Sequence, residues 1–227
     1  KVLIIYLLNM SHIHTKEIKL PRANLNLPQT EDEKKEIIIK AAKAYELFMD
    51  ALKIDWKNDP HSANTPMRVA KAWVNDIAVG CYSPAPDVTA FDNIEKYDGM
   101  VFEGGIPVKS LCSHHHQNFV GTACVAYIPK PNGRVIGLSK LNRIVEFYAR
   151  RPQVQESLTM QIWDAVNRVC ENNRGVAVFV SATHFCACVR GVKHDGCEMK
   201  TSKLSGDFMK QAPVREEFYN FINHMKK

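Results

Sequence analysis

The chain has 227 residues, enough for one generous domain or a core with a small appendage, and 45% of them are hydrophobic. Its 30 Lys and Arg against 24 Asp and Glu leave a formal charge of +6, too diffuse for a nucleic-acid patch yet favourable to a polyanionic small molecule. The 7 cysteines are scattered and odd in number, which excludes a secreted disulfide scaffold and points to a reducing, cytoplasmic setting.

The opening KVLIIYLL is apolar but far short of the roughly 20 residues that cross a bilayer, and no small-residue cleavage site follows it. No membrane anchor is expected, and Met10 is a candidate start. Residues 1–30 carry Pro21, Pro28 and several Asn without periodicity, the texture of an arm that is disordered or ordered only by a partner chain. Thr30 to Glu33 then resembles a capping box, and Ile37, Ile38, Ala41, Ala44, Tyr45, Phe48 and Leu52 recur at helical spacing. A second helix is predicted from Asn64-Thr65-Pro66, with Thr65 as its cap, Gly80 as its close and Val69, Trp73 and Ile77 as its buried stripe.

From about Val101 the chain turns β-branched and alternating. IPVKSL, FVGTACVAYI and VIGL are predicted strands, with Pro131-Asn132-Gly133 turning between the last two. Helices over 139–150 and 153–170 follow, separated by Pro152. VAVFVSA and HFCACVRG are expected as a strand pair, and a last helix over 213–224. Strands and helices cluster rather than alternate, which predicts an α+β fold with an antiparallel sheet. The open edges of such a sheet favour a homo-oligomer. The expected division is an arm at 1–30, a helical region at 31–100 and the main domain at 101–227.

The chemistry is concentrated in LCSHHHQNF at 111–119. Neighbouring side chains of an extended chain point to opposite faces, so three consecutive imidazoles cannot share one site unless the backbone turns. A tight turn brings residues i and i+3 within ~7 Å, which lets Cys112 and His115 chelate one ion. Thiolate and imidazole together favour zinc. A third ligand must come from elsewhere, and the comparable cluster is THFCACV, with His184, Cys186 and Cys188, in which Cys186 or Cys188 could close the set. Three protein ligands leave a position for water, as in catalytic zinc, whereas a fourth from His116 or Cys188 would make a structural site. Spacing leaves both open, together with a cluster that holds no metal.

Longer stretches carry a resemblance: VAYIPK at 125–130, IGLSKLNRIVEFYARRPQVQESLTMQI at 136–162, ATHFCACVRGV at 182–192 and REEF at 215–218. With their separations kept, they resemble the GTP cyclohydrolase I family over residues 35–224. Those zinc enzymes open the guanine of GTP, release formate and make 7,8-dihydroneopterin triphosphate, the first step of folate and pterin biosynthesis. The resemblance implies a tunnelling fold over 101–227 and a toroidal homodecamer with sites between subunits, acting on GTP, with neither nucleic acid nor membrane as partner.

Carried onto matching positions, it implies Cys112, His115 and Cys186 as zinc ligands, Cys188 as a buried thiol, and His114 and His184 as catalytic imidazoles. Glu156 suits guanine, since a carboxylate accepts from both N1–H and the exocyclic amine, and Gln155 stands beside it in the substrate-binding set. Ser139, Lys140, Arg143 and Arg190 are expected on the triphosphate, Arg68 and Lys71 reaching it from another subunit. Two positions depart from the family: His116 replaces an apolar residue and Ser113 replaces a glutamate. They keep two rivals in view, a related enzyme that halts at a ring-opened formyl intermediate or takes another purine or pterin, and a non-catalytic zinc-stabilised assembly.

Overall fold

The computed structural model describes residues 24–225. KVLIIYLL, Met10 and the rest of residues 1–23 lie outside the described residues. The described end of the arm, residues 24–30, is held by the chain itself. Asn26 Nδ2 donates to the carbonyls of Gly80 at 2.8 Å and Ser83 at 2.7 Å. The backbone amides of Leu27 and Gln29 donate to Cys81 and Tyr82 at 2.7 and 2.8 Å. The carbonyls that end a short helix thus find their donors in this segment.

Helix α1 spans Glu31–Ala51, and the Thr30–Glu33 capping box forms reciprocally. Helix α2, Thr65–Ala72, runs into a π-helical turn at Trp73–Ile77 and then α3 at Val79–Tyr82. Here three details differ from expectation. Asn64 occupies the cap position, and its side chain makes no capping bond. The buried stripe is Pro66, Ala70, Val74 and Ala78, of which Ala70 and Val74 pack with Ile38 and Ala42 of α1, and Val69, Trp73 and Ile77 are half-buried at its border. Gly80 does not stop a helix: a Cβ there would meet the carbonyl of Phe147 at 2.3 Å, so glycine permits a close crossing.

A small ladder joins β1, Ala90–Asp92, to β4, Arg134–Ile136. The main sheet contains β2 Val101–Cys112, β3 Asn118–Pro129, β5 Pro152–Gln153, β6 Asn173–His184 and β7 Glu198–Leu204, in the order β5-β2-β3-β6-β7. All neighbours are antiparallel except β5, which runs parallel to the end of β2. Helices α4, Leu138–Ala149, and α5, Gln155–Val169, cover one face. On the other face lie α7, Asp207–Lys210, and α8, Ala212–His224. The class is α+β with an antiparallel sheet, as the clustering of elements predicts.

β3 shows why this sheet reads so strongly in sequence. Ala123, Val125 and Tyr127 face the α4–α5 layer, while Cys124, Ala126 and Ile128 face α8, so both faces are buried. HFCACVRG is not the expected strand: Phe185–Cys188 forms a single helical turn, α6, and the partner of β6 is EMKTSKL.

Candidate metal and catalytic site

The site assembles where three segments end together: β2 at Cys112, β6 at His184 and the first turn of α5. Beyond Cys112 the chain turns, His116 N donating to Cys112 O at 2.9 Å, and re-enters the ladder at the Leu111–Asn118 pair. His116 takes a left-handed φ of 52° to close that turn. On the other side, Phe119 pairs with His184 across the β3–β6 ladder, and their rings stack at 4.7 Å and 8°. The helical turn after His184 swings Cys186 back toward Cys112.

The result is a group of three donors. Ligand atoms of Cys112, His184 and Cys186 all lie within 4.8 Å of one another. The two sulfurs are 3.9 Å apart, against the roughly 3.8 Å between two thiolates bonded at about 2.3 Å to one tetrahedral zinc. Two thiols and an imidazole at this spacing fit zinc in both chemistry and size. Cys188, expected as an ordinary buried thiol, stays outside the group and is only partly buried.

His184 is oriented from behind. Gln155 is fully buried, and its Nε2 donates to the carbonyls of Val180 and Met199 at 3.1 and 3.0 Å and to Thr201 Oγ1 at 3.1 Å. Carbonyls only accept, so the amide orientation is fixed and Oε1 is the atom 2.9 Å from His184 Nε2. Neutral His184 therefore carries its proton on Nε2 and leaves Nδ1 bare, the tautomer control seen around ligating and catalytic imidazoles. Burial pulls His184 below its ordinary value of 6.5, and His114 adds to that, while the Glu156 carboxylate opposes it.

The other expected residues divide into two sets. His114 Nδ1 is 3.4 Å from Cys112 Sγ. Glu156 lies exposed in the first turn of α5 and acts electrostatically on His184. Arg190 acts on Cys186, whose thiol is pushed up mainly by burial and by the neighbouring Cys112. These stand with the cluster. His115 is exposed and outside the three-donor group, its ring centroid 6.4 Å from that of His114.

Five cations and hydroxyls are turned elsewhere. Lys140 Nζ donates to Asp87 O, Arg143 borders a cavity with Ser83 and Pro84, and Ser139 is exposed on the same first turn of α4. Arg68 and Lys71 are exposed on α2, Arg68 bonded to His61 O. Within one described chain none of these five joins the cysteines. His184 joins the group where the sequence points to Cys186 or Cys188 for the third donor, and Gln155, expected in the substrate-binding set, is found behind it.

Thiols and an imidazole gathered at the end of an antiparallel sheet, with a carboxylate near by, are the donor types that hold a metal ion and move protons beside it. A model of the family GTP cyclohydrolase I matches residues 41–223. The chain is 45% identical over 172 residues to the GTP cyclohydrolase 1 of Aeromonas salmonicida, covering 75% of this chain and 77% of that one. It is 47% identical over 162 residues to the same-named protein of Mycobacteroides abscessus, covering 70% and 78%. The chain belongs to the GTP cyclohydrolase I family. A solved archaeosine synthase QueF-Like chain in the apo form overlaps more loosely, with TM-score 0.37 and 21% identity over 47% of this chain and 93% of that one.

Proposed function

We propose that this protein is a zinc-dependent GTP cyclohydrolase of the cytoplasm, which hydrolyses GTP at guanine C8, releases formate and rearranges the remainder to 7,8-dihydroneopterin triphosphate. Family membership supports the GTP cyclohydrolase activity. The observation that carries the metal reading is the gathering of Cys112, His184 and Cys186 donor atoms within 4.8 Å. Cys112 and Cys186 are the thiolate ligands, and His115, three residues after Cys112 on an exposed turn, supplies the imidazole. When bound there, zinc supplies Lewis acidity for attack of water at C8.

The chain's own residues do the rest. Glu156 accepts from guanine N1–H and the exocyclic amine; adenine, with an acceptor at N1, leaves that carboxylate unpaired and is rejected. His184, with Nε2–H held by Gln155, presents Nδ1, which takes up a proton and then gives it to N7, while His114 serves proton transfer at C8. Arg190 reaches toward phosphate. Ser139, Lys140, Arg143, Arg68 and Lys71 sit apart from the cysteines within one chain, which supports a homodecamer whose sites form between subunits and bring these groups to the triphosphate.

One observation favours a second ligand set: His184, not His115, lies within reach of both sulfurs. Zinc content of His115→Ala and His184→Ala separates the two, since the true ligand releases the ion and the other keeps it. The function itself is tested by incubating zinc-loaded protein with GTP and measuring formate and pterin together. Formate and pterin in equal amounts are expected. Accumulation of a formylated ring-opened product would instead favour the related enzyme that halts at that intermediate.

A further inference from the structure

Arg151 is a cation in an unusual place. It is only 4% exposed, and among the described residues no carboxylate pairs with it. Its guanidinium lies over the rings of Phe147 at 4.4 Å and Tyr148 at 4.8 Å. Nη1 donates to Gln161 Oε1 at 3.1 Å and to the Asn24 carbonyl at 3.3 Å, while Nε is buried without a partner. Burying a charge without a counterion is costly, so the neighbours of this one repay attention.

They form a continuous chain of bonds. Gln161 Nε2 donates to Gln153 Oε1 at 2.7 Å, and Gln153 Nε2 donates in turn to Tyr148 O and, at 3.4 Å, to Ser110 Oγ. Ser110 Oγ closes the loop by donating to Arg151 O at 3.2 Å. Asn24 Nδ2 reaches the same Gln153 Oε1 at 3.4 Å. All of this braces β5, a strand of two residues that could not hold its place by ladder bonds alone.

β5 is the beam between the two halves of the site. On one side Gln153 pairs with Cys112, and its carbonyl accepts from Ser113 N at 3.1 Å, fixing the base of the histidine turn. On the other side the chain runs two residues on to Gln155, which orients His184, and to Glu156. We propose that Arg151 is a positioning residue for the reaction: through Gln161 and Gln153 it holds β5, and β5 sets Cys112 against Gln155 and Glu156. Arg151 acts through Gln161 and Gln153 and is no member of the three-donor group.

This inference rests on the reading of Cys112 as a metal ligand. Zinc affinity by chelator competition, and KM and kcat for GTP, should be measured on the full chain as wild type, Arg151→Met, Gln161→Leu and, as a stability control remote from the site, Ile222→Ala. Arg151→Met and Gln161→Leu should each weaken zinc binding about tenfold, the scale of losing a group behind a ligand, and lower kcat. Ile222→Ala, in the α8 layer, should lower the melting temperature and leave zinc affinity unchanged. If Arg151→Met does not fold, Gln161→Leu decides alone. Wild-type zinc affinity, KM and kcat in Gln161→Leu overturn the inference; a wild-type protein that takes up no zinc overturns the reading of the site, and the inference with it.

Discussion

His116 stands edge-on against Trp73, with ring centroids 5.0 Å apart and planes at 69°. The turn that follows Cys112 is thereby fastened to the π-helical turn between α2 and α3, and the spare histidine of the three acquires a packing role. His116→Ala should cost about 0.5–1.5 kcal/mol of stability, the range of a specific ring pair, read from urea unfolding. Zinc content should stay at the wild-type ratio. Release of zinc by this substitution would mean that His116 is itself a ligand and that the centre is closed by four side chains.

The two cysteines of the Cys-x-Cys pair should behave differently. Cys186→Ser removes a sulfur 3.9 Å from that of Cys112 and should abolish stoichiometric zinc and formate release together. Cys188→Ser, outside the donor group, should keep both. Metal analysis of the purified variants, with the assay run in parallel, distinguishes the outcomes.

Gln155→Leu should fold and bind zinc but lose 10- to 100-fold in kcat, the usual scale for groups that orient an active imidazole. The cause is loss of the only acceptor holding His184 Nε2–H among the described residues. Nitrogen chemical shifts of His184 would report the tautomer directly: one dominant form in wild type, a mixture in the variant.

Stability of the metal-free protein should fall as pH is lowered through about 6.5. Burial holds His184 below that value, so above 6.5 folded and unfolded chains are both neutral at this residue. Below it the unfolded chain takes up a proton that the folded one refuses, and unfolding is favoured until His184 protonates too. Urea unfolding across that interval should show the decline, and His184→Gln should flatten it.

Gly121→Ala should be among the most damaging small substitutions. An added Cβ would lie 1.9 Å from Ser181 O and 2.6 Å from Ala182 Cα in the neighbouring strand, where backbone rather than a side-chain tip must yield. A loss of about 3 kcal/mol, the upper end for overpacking, is expected in denaturant melts. A change of a few tenths would show that β3 and β6 can separate more easily than their register suggests.

What was legible in the sequence follows from how local the causes are. The Thr30–Glu33 box and the apolar spacing of α1 act within a few residues, and that helix begins where the pattern places it. β3 is plain because both of its faces are buried. The misreadings have longer-range causes. HFCACV has the texture of a strand, yet the chain must leave the ladder there to return Cys186 to Cys112, and the true partner strand EMKTSKL alternates weakly because it lies at the sheet's edge. The buried stripe of the second helix lies one residue on from the expected one, since Ala70 and Val74 carry the contact with α1. The meeting of Gln155 with His184 joins residues 29 apart in sequence, and no periodicity records such a contact.

The separation of the two sulfurs has a consequence for handling the protein. A disulfide needs them at about 2.05 Å, so roughly 1.9 Å of approach would turn a stripped site into a covalent loop between β2 and the turn after β6. Stored in air without its ion, the enzyme should age into an oxidised form that zinc alone cannot revive. A thiol reductant given before the metal should bring it back.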